Sequence, residues 1–125
     1  KSSKFCTRSI NKWFTVTKKG VRIPRSILID TETKVIEDLQ LSAKKSQFKF
    51  TNVIAKPFGG SANNWAFGYS DNGKKVSKEV QNCVRSEVEK SDLLTSFLNI
   101  YSLSGGTGSG VGSYIIDFYT FANII

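Results

Sequence analysis

Between Leu103 and Gly112 the chain reads LSGGTGSGVG, with glycine at 105, 106, 108, 110 and 112. The stretch before it, FLNIYSL (97–103), has the apolar character of a strand, and VGSYIIDFYTFANII after it that of a helix. A glycine-rich turn from the carboxyl end of a strand to the amino end of a helix is where open α/β sheets bind ligands. Backbone N–H groups point into such a turn, and the helix dipole adds roughly half a positive charge. Missing Cβ atoms let an anion approach, Thr107 and Ser109 add hydroxyl donors, and phosphate is the natural guest. The common phosphate-loop patterns are nevertheless absent. Gly110 is followed by Val111 rather than by Lys and Ser or Thr, and G-x-G-x-x-G fails at Val111 or at Ser113. A flexible Gly/Ser linker is the competing reading, against which stands its place between an apolar strand and an aromatic helix.

Two other groups of residues have chemistry to offer. Asp30 and Glu32 follow the apolar run of RSILID (25–30), and hard carboxylate oxygens suit Mg²⁺, usually through water. The alternative for this pair is a polar strand-to-helix turn, with Asp30 or Thr31 capping the next helix. Asn63 and Asn64 in GSANNWAFGYS (60–70) read, on their own, as turn chemistry. Histidine is absent, which excludes His-based triads and the usual His-containing metal sites. Cys6 and Cys83 match no zinc or redox spacing and read as free thiols of a reducing compartment.

The 125 residues suffice for one domain burying about two-thirds of its unfolded surface. A hydrophobic fraction of 39% with 12% aromatics fits a folded chain. No apolar run reaches the ~20 residues of a membrane span, and no stretch resembles a signal peptide. The net charge of +8 is uneven. Residues 1–29 carry eight Lys or Arg and no acid, whereas ten basic residues balance ten acidic ones from Asp30 onward. Residues 1–9 read as a basic leader, solvated and partly disordered or else facing an acidic partner or nucleic acid. The chain starts at Lys1 and holds no methionine, so a processed, trimmed or partial chain is expected.

The elements that must hold these residues follow from pattern. NKWFTVTKKG (11–20) suggests a short strand ending in a Lys-Lys-Gly turn, RSILID a strand with the continuous apolar run of a parallel sheet, and TNVIAKPF (51–58) another strand. TKVIEDLQLSAKK (33–45) reads as a short helix with Val35, Ile36, Leu39 and Leu41 on its apolar side. In VSKEVQNCVRSEVEKSD, Val76, Val80, Val84 and Val88 recur every four residues, and Ser77 is placed to cap that helix. Alternating strands and helices predict an α/β fold with a mostly parallel sheet and helices on both faces.

Three stretches together resemble the tubulin family. GGTGSGVGS (105–113) is similar to its G-G-G-T-G-S-G signature. GSANNWAFGYS is similar to its A-A-N-N-Y-A-x-G segment, and Trp65 with Gly60-Ser61 brings it nearer to the delta branch than to alpha or beta. GVRIPRSILIDTETKVIEDL (20–39) resembles the delta stretch around V-D-M-E-P-K-V-I. Order and spacing agree over residues 10–115, so 10–125 is expected to be part of a Rossmann-like GTP-binding domain. The departures are Thr33 for the family's proline, Ser104 for the first of three glycines, and Gly60 where alpha-tubulin has an acid. The family's G-Q-C-G-N-Q motif and its ribose and base contacts do not appear.

The resemblance implies roles position by position. Ser102, Gly105, Gly106, Thr107, Gly108, Ser109 and Gly110 would cradle the phosphates of GTP, with Asn63 and Asn64 near the terminal phosphate. Glu32 and Asp30 would face the Mg²⁺ ion. It further implies other tubulin subunits, arranged head to tail, as partners, and microtubules, centrioles, basal bodies and cilia in the cytoplasmic cytoskeleton as the setting. Hydrolysis in the family needs a neighbouring subunit, so residues 1–125 alone are expected to be inactive, and no catalytic residue is assigned. Two other functions compete: a non-enzymatic polyanion binder using the basic leader with Trp13, Phe14 and Trp65 on nucleic acid, and an inactive gene fragment.

Overall fold

The computed structural model describes residues 12–42 and 48–121; the basic leader 1–9, Cys6 and the last residues of the first and final expected helices lie outside these. Strand β1 (Phe14–Val16) pairs antiparallel with β2 (Arg22–Pro24) in the register Phe14↔Pro24, Thr15↔Ile23, Val16↔Arg22. Their turn is the Lys-Lys-Gly one. Gly20 takes φ 77°, which a side chain would resist, and Thr17 Oγ1 accepts from Val21 N at 3.1 Å. Nothing in the sequence marks β2, because Pro24 argues against a strand; it is tolerated at the end of an edge.

Strand β3 (Leu28–Asp30) pairs in parallel with β4 (Val53–Ala55), Ile29 opposite Ile54, with helix α1 (Thr33–Leu41) between them in the chain. This βαβ unit is the parallel sheet that the sequence predicts, and the class is α/β. Two details differ. Glu32, with φ −126° and ψ 134°, occupies the N-cap of α1 and makes no side-chain cap bond, so neither Asp30 nor Thr31 caps the helix. Asp30 Oδ1 instead accepts from Glu32 N at 3.1 Å, and Thr31 is fully buried. The apolar side of α1 is also narrower than expected. Ile36 is buried and Leu39 half-buried, but Val35 and Leu41 are 59% and 85% exposed. One residue is about 100° of helix, which carries Val35 off the stripe that faces β3 and β4.

The valine-repeat helix is longer than its repeat. It begins as α2 (Trp65–Phe67), passes through a π turn at Gly68–Asn72, and continues as α3 (Gly73–Glu89). Asn64 caps it, Oδ1 accepting from Phe67 N at 3.2 Å. Ser77 is consequently an interior residue, not the cap: its hydroxyl donates to the Lys74 carbonyl at 2.7 Å. A second π turn, Thr107–Val111, leads into α4 (Gly112–Phe121).

The expected strand FLNIYSL is not formed. Residues 93–102 carry no regular structure, and Leu98, Ile100 and Leu103 are 66%, 87% and 84% exposed. A strand exists through its neighbour's hydrogen bonds, and among the described residues the strands pair only as β1–β2 and β3–β4. Only Phe97 of this segment turns inward, its ring stacked 6.4 Å from that of Tyr119. The core lies between β4, α3 and α4, with Ile54, Val76, Val80, Val84, Val111 and Tyr119 buried. Among the described residues no helix is long and apolar enough to cross a membrane.

Candidate functional site

Three segments distant in sequence meet beyond the carboxyl ends of β3 and β4. Glu32 comes from the entry to α1, residues 59–63 from the turn before α2, and residues 104–108 from the glycine loop. They line an open cleft of about 350 Å³, whose walls are Glu32, Gly59, Ser61, Ala62, Asn63, Ser104, Gly105, Gly106, Thr107 and Gly108. The π turn at Thr107 and α4 form one continuous helical run whose amino end opens on this cleft, so its dipole favours negative charge there.

The 59–63 wall is strained. Gly59 and Gly60 take φ 72° and 80°, and Ala62 and Asn63 both take φ 51°. For a residue with a Cβ this region costs roughly 1–2 kcal/mol, which the surroundings must hold in place. Gly60 N donates to the Thr31 carbonyl at 3.1 Å and Asn64 N to the Ser61 carbonyl at 2.9 Å. The wholly buried Asn72 adds two bonds from its amide nitrogen, to the Gly60 carbonyl at 3.0 Å and to Ser61 Oγ at 2.9 Å. Gly60 has a further reason to be glycine: a Cβ there would stand 2.6 Å from Glu32 Oε1, where the carboxylate enters the cleft.

Of the residues singled out by sequence, the cleft gathers Glu32, Asn63, Gly105, Gly106, Thr107 and Gly108. The others are engaged elsewhere. Asn64 caps α2, Asp30 bonds the Glu32 N–H, and the exposed Ser102 accepts from Ser104 N at 3.2 Å at the mouth of the loop. The buried Ser109 turns its hydroxyl back to the Gly105 carbonyl. Gly110 is packed against the start of the long helix, where a Cβ would lie 2.8 Å from Gly68 Cα and from Tyr69 N. The bare side of Gly106 faces Ser61, and that of Gly108 faces Ser102. Much of the glycine content therefore serves close backbone packing of the loop on the 60–69 segment, as well as leaving room for a ligand.

Sequence reading missed three participants. Thr31 and Asn72 are buried polar residues behind the cleft wall, and the buried Ser61 stands in the wall itself. Ser61 lay inside a quoted motif and Thr31 between the two acids, but nothing in the sequence marks Asn72. As for metals, no group of three or more His, Cys, Asp or Glu is assembled among the described residues. The Glu32 carboxylate, which enters the cleft with Asp30 two residues before it, is a hard oxygen donor of the kind that Mg²⁺ takes singly or in pairs while keeping water.

A parallel βαβ unit with a glycine-rich loop opening a helix defines an α/β protein of the class whose helix terminus suits an anionic ligand. The chain belongs to the tubulin family: the model described as Tubulin/FtsZ family, GTPase domain, matches residues 2–122. It is 40% identical over 106 residues to the tubulin delta chain of Homo sapiens, covering 83% of this chain and 23% of that one. The tubulin delta chain of Canis lupus familiaris is 39% identical over 109 residues, covering 86% and 24%. That of Mus musculus is 39% identical over 108 residues, covering 83% and 23%. The chain spans about a quarter of the length of the curated relatives it matches. The resemblance to tubulins, and to delta chains among them, is borne out.

Proposed function

We propose that this chain forms the phosphate- and magnesium-facing part of a GTP site in a delta-like tubulin. The observation that carries the reading is the meeting of all three motif segments in one cleft at a helix amino end. The backbone of residues 105–108, the Thr107 and Ser104 hydroxyls and the Asn63 amide would hold phosphate oxygens. Ser109 and Gly110 would support the loop from behind, Ser102 would hold its mouth, and Asn64 would fix the direction of the 61–63 wall. Glu32, with Asp30 beside it, would hold Mg²⁺ through water, and the ion would supply neutralising charge to the phosphates. Other tubulin subunits are the proposed partners, head to tail, within cytoplasmic microtubule-type assemblies such as centrioles, basal bodies and cilia. Hydrolysis is proposed as a property of the assembly, and no catalytic group is assigned to residues 1–125.

The test is Glu32→Gln in the protein that carries this chain, titrated with a fluorescent GTP analogue with Mg²⁺ and again with a chelator. Magnesium should tighten binding to the parent protein, and the substitution should remove roughly 1–3 kcal/mol of that gain, as for a lost bond to a charged group. Equal affinity in magnesium and in chelator would take Glu32 out of the site.

A further inference from the structure

From the cleft wall inward runs a chain of hydrogen-bonded polar side chains. Thr31 Oγ1 lies 2.6 Å from Thr107 Oγ1, Ser61 Oγ lies 3.1 Å from the same atom, and Asn72 Nδ2 lies 2.9 Å from Ser61 Oγ. Thr31 is 0% exposed, and among the described residues its hydroxyl has Thr107 as its only partner. A buried hydroxyl proton must find an acceptor, so Thr31 donates to Thr107. Ser61 is 4% exposed and already receives the Asn72 amide proton, and Thr107 Oγ1 at 3.1 Å is the acceptor that the described residues offer its own proton, which we assign there. A hydroxyl has one proton and two acceptor lone pairs. Thr107 therefore has both lone pairs occupied, and its single proton is left for the cleft that it lines.

We propose that Thr31, Ser61 and Asn72 are positioning residues that turn Thr107 into a dedicated proton donor, so that the cleft takes a ligand oxygen that only accepts, as on a phosphate, and rejects a donor at that point. This rests on the GTP reading above but adds to it three residues and a reason for selectivity. Mutual polarisation strengthens the last donor of such a chain. No lone pair of Thr107 faces the anion.

Two measurements on the protein that carries this chain test the proposal. The first needs no ligand. By NMR, the hydroxyl protons of Thr31 and Ser61 should be protected from exchange with water, and that of Thr107 should exchange fast. Fast exchange at Thr31 or Ser61 would overturn the assigned directions. The second is a double-mutant cycle on GTP affinity. Thr31→Val, which keeps the shape, should weaken GTP about tenfold, while Thr31→Ser, which keeps the proton, should restore it to within about twofold. In a Thr107→Val background, Thr31→Val should add almost nothing. An undiminished effect in that background would show that Thr31 acts through the fold and not through Thr107. If the exchange pattern holds but the parent protein fails to bind GTP, the nucleotide reading falls while the hydroxyl directions stand, and the selectivity is then overturned with it.

Discussion

Tyr119 is 6% exposed, its ring stacked on Phe97 and set edge-on to Phe118, and among the described residues its hydroxyl has no hydrogen-bond partner. Burial, with a smaller contribution from Cys83, pushes its pKa up from 10.0 to about 12. The folded-state value is raised above the unfolded one, so the neutral phenol's contribution to stability is complete below pH 10. It is lost as pH climbs from 10 to about 12. Tyr119→Phe keeps the ring and deletes the unpaired hydroxyl. It should stabilise the fold by about 1 kcal/mol at neutral pH and flatten the alkaline decline. Urea melts at neutral pH and again above pH 10 read both effects, and a less stable variant would mean that the hydroxyl is satisfied. At this scale the sequence shows residue types better than it shows partners. Thr107 could be picked out as a donor in a glycine-rich turn and Glu32 as a hard carboxylate after a strand, whereas Asn63 on its own read as turn chemistry and only the resemblance pointed it towards the cleft. The routing of hydrogen bonds was not legible: Ser109 offers the same hydroxyl as Thr107 but spends it on Gly105, and Asn72 gives no sign of reaching back to Gly60.

Between elements, the glycine loop and the start of the long helix approach each other backbone to backbone. The close contact is made by Gly68 and Gly110 together: a Cβ on Gly68 would collide with the Gly106 carbonyl, and one on Gly110 with Gly68 Cα, Tyr69 N and the Trp65 carbonyl. This explains physically why GSANNWAFGYS and GGTGSGVGS occur in one chain, since each is the surface on which the other rests. Gly110→Ala places its methyl against backbone, which cannot rotate away as a side-chain tip can. It should cost about 1–3 kcal/mol, the range for overpacking a filled site, seen as a lower melting temperature and not as a selective loss of affinity. Unchanged stability with weakened nucleotide binding would return Gly110 to the cleft. The elements that sequence places correctly are those whose signal is local. The valine period marks α3, and the short runs ending at Asp30 and Ala55 mark β3 and β4. The beginning of the long helix was hidden because Gly68, Ser70, Asp71, Asn72 and Gly73 are poor helix formers. Tertiary burial of Gly68, Asn72 and Gly73 outweighs that preference.

Across the whole molecule, apolar surface is distributed unevenly. The α3–α4 side is packed, while residues 93–103 hold Leu93, Leu98, Ile100 and Leu103 at 78%, 66%, 87% and 84% exposure, and among the described residues no strand pairs with them. The strand pattern there was legible, but pairing is a property of two segments and cannot be read from one. An uncovered apolar row of this kind is a template for association. The polypeptide of residues 1–125 on its own should therefore self-associate as concentration rises, and replacing Leu98 and Ile100 together by lysine should suppress this without loss of helical content, since neither side chain is packed. Its affinity for GTP should also be weak. A helix terminus contributes at most about 2 kcal/mol, against roughly 8 kcal/mol for micromolar binding, and among the described residues the cleft is lined by a single charged side chain, the carboxylate of Glu32. Sedimentation velocity across a concentration series and a GTP titration with a phosphate-release assay decide the matter. A monodisperse monomer with saturable micromolar binding and turnover would show that residues 93–103 find cover within the chain, and that the cleft is complete without further protein.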